Sequence, residues 1–137
     1  MNVTYNTVDT TMPNLDQPST TAWLQRVAQT YGKRLGDVNY IFVSDDEILR
    51  INREFLGHDY YTDHIGFDYC EADILNGDIF ISLDTVATNA ALYGATPQQE
   101  LMRVVVHGLL HLCGIKDKTD AERQQMQQAE DQALLML

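Results

Sequence analysis

The sequence predicts an α+β domain, a small mixed β-sheet of about four strands flanked by about five helices. Three observations predict it. Short runs such as 38–43 and 79–83 are rich in β-branched and aromatic residues and alternate as strands do. Other segments carry apolar residues at helical spacing, and S/T-x-x-E/Q capping signals stand in front of several of them. Finally, the 137 residues are 45% apolar and 21% charged, which suits one globular domain over 1–137 and excludes a disordered chain.

The elements follow in order. Residues 3–8 form a short edge strand, and Pro13 and Pro18 mark a loop after it. Ser19 caps a helix whose Trp23, Leu24, Val27, Ala28 and Tyr31 share a face, with Gly32 at its end. A strand over 38–43 leads to Ser44 and Glu47, a capping box for a helix with Ile48, Ile51 and Phe55 inward and Gly57 as its stop. Ile65, Phe67 and Tyr69 alternate, as do Ile79, Ile81 and Leu83, giving two strands of a hairpin. The hairpin closes through Glu71 to Gly77, where Asn76-Gly77 supplies turn chemistry. Asp84 caps a helix that ends near Gly94. Thr96-Pro97 with Gln99 opens the next, which runs through LMRVVVHGLLHL and stops around Gly114. Thr119 and Glu122 cap a last helix with Met126, Ala129, Ala133 and Leu137 on one stripe.

Charge and cysteine content narrow the function. Nine Lys and Arg against twenty Asp and Glu give a net charge of −11, which argues against non-specific binding to polyanions. A role on nucleic acid then needs a local basic patch or a bound cation. The opening residues lack the pattern of a signal peptide, and no apolar run approaches the roughly 18 residues of a membrane span. Cys70 and Cys113 make no disulfide framework and suit a reducing cytoplasm.

The chemistry concentrates in His107-Gly108-Leu109-Leu110-His111-Leu112-Cys113-Gly114-Ile115-Lys116-Asp117. Histidines at i and i+4 on a helix sit one turn apart, so both imidazoles can face one ion. Gly114 lets the chain break into a left-handed turn, which returns Asp117 toward the same ion. Three protein ligands with an open fourth position characterise catalytic zinc, here one Zn²⁺ per chain on a zincin-like helix. Buried imidazoles in an otherwise apolar helix also require partners. The spacing matches that of metzincin proteases, but Gly108 stands where such a protease needs a glutamate base. Cys113, two residues past His111, points off that face and is assigned to packing.

The stretch 107–114 resembles the HGxLHLxG signature of the YbeY family of bacterial endoribonucleases and rRNA maturation factors. Ile51-Asn52, Gly57, Asp59, Thr62-Asp63, Phe67, Gly77-Asp78-Ile79 and Glu100 also follow the family pattern, so the resemblance covers roughly 38–137. It implies the same α+β fold and a zinc-dependent, single-strand-specific endoribonuclease. That enzyme would act in small-subunit rRNA maturation and ribosome quality control, with RNA and the ribosome or its proteins as partners. His107, His111 and Asp117 would hold the ion. The chain departs from the family in three places: Asp117 replaces a third histidine, Leu56 an arginine, and Gly66 a strand serine beside a non-family His64.

Several further residues are candidates. Arg53 either substitutes for the arginine absent at 56 or is a solvated helix charge. His64 is either an acid–base group or a half-exposed strand histidine. Asp63 and Asp78 either orient reacting groups or cap turns. Lys116 and Lys118 flank Asp117 as an RNA-binding patch or as ordinary surface lysines. Two other functions fit the same frame: a metal-dependent hydrolase of peptides or small esters, and a non-catalytic ribosome assembly factor with a structural metal.

Overall fold

The computed structural model describes residues 2–57 and 62–137. Asp59 of the family pattern therefore lies outside the described residues. The elements run β1 (Asn2–Val8), α1 (Gln17–Thr30), β2 (Arg34–Val43), α2 (Asp45–Leu56), β3 (His64–Asp68), β4 (Ile74–Ser82), α3 (Leu83–Tyr93), α4 (Pro97–Leu112) and α5 (Asp120–Leu134). The predicted order of strands and helices is reproduced, and the fold is α+β.

Strand order in the sheet is β1-β2-β4-β3; β1, β2 and β4 are parallel and β3 is antiparallel to β4. Alternation along the strands gives the sheet two unlike faces. Val38, Tyr40, Phe42, Leu75, Ile79 and Ile81 point into the main core with α1, α4 and α5. Ile41, Val43, Ile65, Phe67 and Phe80 point the other way, toward Ile48 and Ile51 of α2. The core is tied by long-range hydrogen bonds: Tyr40 Oη donates to the Val105 carbonyl at 2.9 Å, and Trp23 Nε1 to that of Ala133 at 2.8 Å. Both are buried, and such groups are seldom left unpaired.

The caps at Thr96 and Thr119 form with both reciprocal bonds of a capping box, and Gly57 and Gly94 end their helices in the left-handed conformation. Five expectations are corrected. Helix α1 is capped by Asp16, not Ser19, because Pro18 fits the first turn and shifts the start three residues earlier. Helix α3 is capped by Ser82; the Asp84 carboxylate instead accepts from the Asp45 backbone N–H. Phe55 is 63% exposed, and its ring meets Phe67 edge to face with centroids 6.2 Å apart. Leu137 is exposed because α5 stops at Leu134.

The fifth concerns the hairpin. Its turn falls at Glu71–Ile74, inside the expected connection and with Ala72 at φ +53°, but Asn76-Gly77 lie inside β4 and do not form it. Asn76 is used across the sheet, where its side-chain carbonyl accepts from the Asp37 N–H at an irregularity in β2. Gly77 is required by crowding: a Cβ there would lie 2.7 Å from the Phe67 carbonyl oxygen and 3.0 Å from Leu112.

Candidate metal centre

The site forms where α4 crosses β3 and the turn after α4 folds back. His107 and His111 lie one turn apart on α4, with ring centroids 4.6 Å apart. Gly114 takes φ +96°, a conformation that side-chain-bearing residues rarely adopt, and the chain reverses. Asp117 is thereby carried back to the histidines: its Oδ2 lies 3.3 Å from His107 Nε2 and 3.2 Å from His111 Nε2. Thr119 caps α5, as its box predicts, so Asp117 is not spent as a cap.

Strand β3 adds a third imidazole. His64 pairs with Ile81 and so projects to the α4 face of the sheet. Its ring centroid lies 4.5 Å from that of His107 and 5.7 Å from that of His111. One ring nitrogen from each of His64, His107 and His111 lies within 4.8 Å of the others, a group that could hold a metal ion.

Carboxylates fix two of these rings. His107 Nδ1 lies 2.5 Å from Glu130 Oε2, and His64 Nδ1 lies 2.8 Å from Asp63 Oδ1. An ionised carboxylate only accepts, so in a neutral ring Nδ1 carries the proton and Nε2 presents its lone pair. Glu130 is itself held by Arg103, which also binds Asp131. Burial pushes the His107 pKa down, but the hydrogen bond and charge of Glu130 outweigh it and the net shift is upward. His111 is lowered, by burial first and then by the neighbouring His107. Burial raises Asp63, yet the hydrogen bond from His64 and the charges of His64 and His107 hold it below its ordinary value.

The residues present fit a cation. Among the described residues His107 Nε2 is buried and makes no hydrogen bond, although Asp117 Oδ2 is only 3.3 Å away. A buried imidazole lone pair facing a carboxylate oxygen is repulsive unless a proton or a metal stands between them. Imidazole nitrogens and a carboxylate oxygen are ordinary zinc donors.

The remaining candidates divide. Lys116 and Lys118 are exposed and line a hollow with His111 and Asp117, while Arg103, His107, Asp117, Arg123 and Glu130 line another. Asp78 is corrected: it alternates with Ile79, whose side chain packs under Gly108 of α4, so it faces the opposite side of the sheet. There its carboxylate accepts from Asn39, which in turn accepts from Thr4. Arg53 is exposed near the end of α2, and none of the contacts described for the three histidines and Asp117 involves it. Gly66 lies on the same face as His64, and a Cβ there would meet nothing within 4 Å. Glu130 was missed by sequence reasoning. The signal was present, since it stands four residues after Met126 and beside Ala129 on the buried stripe.

Fold and site together define an α+β protein with a histidine–carboxylate cluster that could hold a metal ion. Comparison with known proteins specifies the family. The family model described as Endoribonuclease YbeY matches residues 5–137. An Endoribonuclease YbeY of Bacteroides thetaiotaomicron is 56% identical over 136 residues, covering 99% of each chain. That of Phocaeicola vulgatus is 52% identical over 135 residues, covering 98% of each. A solution structure of a Thermotoga maritima protein superposes with a TM-score of 0.64 at 27% identity, covering 96% of this chain and 88% of that one. The chain belongs to the YbeY endoribonuclease family.

Proposed function

We propose that this chain is a zinc-dependent, single-strand-specific endoribonuclease acting in small-subunit rRNA maturation and ribosome quality control in the cytoplasm. Its partners on this reading are that rRNA and the ribosome or its proteins. Family membership supports the reaction class. The observation that carries the metal dependence is the buried Nε2 of His107, without a hydrogen bond among the described residues and turned toward Asp117 Oδ2.

His107, His111 and Asp117 would hold the ion. When bound, zinc supplies Lewis acidity toward a phosphoryl oxygen and brings the pKa of a water toward neutrality. The chain's own residues do the rest. Glu130 fixes the His107 ring with its lone pair toward the site, and Arg103 holds Glu130 in place. Lys116 and Lys118 flank the hollow beside His111 and attract the phosphate backbone, offsetting the acidic surface locally. Gly66 leaves open space next to His64 for a nucleotide. Gly108 presents no carboxylate where a metzincin-type protease needs one, so the centre is not equipped for peptide hydrolysis.

The test is elemental analysis of protein purified without chelators, followed by incubation with structured RNA and with casein, each with and without chelator. Stoichiometric zinc with chelator-sensitive cleavage of RNA alone is expected. Absence of a stoichiometric metal, or chelator-sensitive cleavage of casein, overturns the assignment.

A further inference from the structure

We propose that His64 is a fourth protein ligand to the ion, together with His107, His111 and Asp117. It would occupy the corner that an open catalytic site leaves for the reacting group. The inference rests on the metal reading above and extends it to a residue outside the family pattern.

Ring spacing is the first support. Imidazoles bound through nitrogen to one tetrahedral zinc at about 2.0–2.1 Å have centroids roughly 5 Å apart. The three centroid separations here are 4.5, 4.6 and 5.7 Å. Ring orientation is the second. His64 repeats the arrangement of His107: Nδ1 is taken by a carboxylate, Asp63 at 2.8 Å, which leaves Nε2 as the nitrogen available to an ion. A carboxylate–histidine–metal series of this kind fixes the tautomer and strengthens the ligand. Backbone placement is the third. The Asp63 carbonyl accepts from the Ser82 N–H at 2.9 Å and His64 is in register with Ile81, so the pair is anchored to the central strand β4.

With four protein donors the resting centre is closed, which is the arrangement of a structural site. A phosphate group or a water would then reach the ion only if His64 gave way or the coordination expanded. His64 thus sets how readily the centre opens, and Gly66, two residues on, leaves the adjacent space clear.

Three measurements on the full chain test this. In zinc titrations of ¹⁵N-labelled wild type, the His64 ring nitrogens should shift together with those of His107 and His111. In His64→Ala, zinc should still bind one per chain, with affinity lower by more than the 10–100-fold typical of losing a supporting hydrogen bond. In cobalt-loaded protein, the strong visible bands of a tetrahedral site should weaken in His64→Ala. Inorganic phosphate should perturb that variant at concentrations at least tenfold below those needed for wild type. Circular dichroism and urea unfolding in chelator establish that the variant is folded, and the nitrogen shifts need no variant.

Unmoved His64 resonances beside moved His107 and His111, with unchanged zinc affinity in His64→Ala, would overturn the fourth ligand and leave the three-ligand centre standing. Failure of the wild type to bind zinc at all would remove both.

Discussion

Gly108→Ala probes what holds the histidine helix against the sheet. Gly108 is buried in the middle of α4, where glycine costs about 1 kcal/mol relative to alanine in helix propensity. Propensity alone therefore predicts that alanine stabilises. The packing predicts the opposite. A Cβ at 108 would lie 2.8 Å from Ile79 Cγ2 and 3.1 Å from Cδ1, closer than carbon atoms approach without displacement. Ile79 is fully buried on β4 between β2 and β3, and its branched Cγ2 cannot swing away as the end of a flexible chain would. Overpacking of this kind costs about 1–3 kcal/mol. A clash with a fully buried branched residue belongs in the upper part of that range, so the net loss should be about 1–2 kcal/mol. Urea unfolding in chelator, which removes any linkage to metal binding, reads this as a midpoint lower by roughly 0.5–1 M. A second arm isolates the cause. In an Ile79→Ala background, itself about 2–5 kcal/mol less stable, Gly108→Ala should become neutral or stabilising. A single variant as stable as wild type, or the same loss in both backgrounds, would refute the argument that close approach to Ile79 requires glycine here.

Other outcomes follow from the site. Asp117→Ala should lower zinc affinity by more than about 100-fold in chelator competition, while Asp117→His retains it because imidazole suits the same corner; full affinity in the alanine variant would remove Asp117 from the ligand set. Glu130→Gln keeps the shape but weakens the acceptor at His107 Nδ1, so zinc affinity should fall about 10–100-fold with the fold intact by circular dichroism. Lys116→Ala with Lys118→Ala should weaken RNA binding and reduce the logarithmic salt slope by about 1.4, at roughly 0.7 per single-strand phosphate contact, with metal content unchanged. An unaltered slope would put the RNA path elsewhere, such as the hollow lined by Arg103 and Arg123.

The parts of this protein legible in its sequence are those set by local chemistry. Thr96 and Thr119 announce their helices because the capping residue and its partner are three positions apart, and Gly57, Gly94 and Gly114 mark reversals that depend on one backbone conformation. The approach of Asp117 to the histidine pair is legible for the same reason, since six residues with a glycine midway leave little freedom. What failed was decided by distant neighbours. Asn76-Gly77 has the composition of a turn, but the two residues serve a bulge in β2 and the close passage of Leu112. Asp78 has the composition of a site residue, but strand alternation commits it to the opposite face once Ile79 packs under Gly108. His64 and Glu130 meet His107 from β3 and α5, across tertiary contacts that no local spacing encodes.

The acidity of the chain and its affinity for an anionic substrate are reconciled at the same place. Asp63, Asp117, Glu100 and Glu130 surround the histidines, and in Glu100 burial first and the charge of Asp63 next raise the carboxyl above its ordinary pKa. Such a ring of acids repels phosphate as long as it encloses only neutral imidazoles. A divalent cation would offset two of those charges and present a positive centre to a phosphoryl oxygen, while the same carboxylates orient its ligands. Lys116 and Lys118 stand outside the ring, where they can meet a phosphate without neutralising the acids around the histidines. On this arrangement RNA binding should depend on metal loading before any bond is cut. Metal-free protein should therefore bind a single-stranded oligonucleotide more weakly than zinc-loaded protein at equal salt, measured under conditions too cold and brief for cleavage. Equal affinity in the two forms would mean that the substrate is held wholly by the surface cations and that the acidic ring acts on the ion alone.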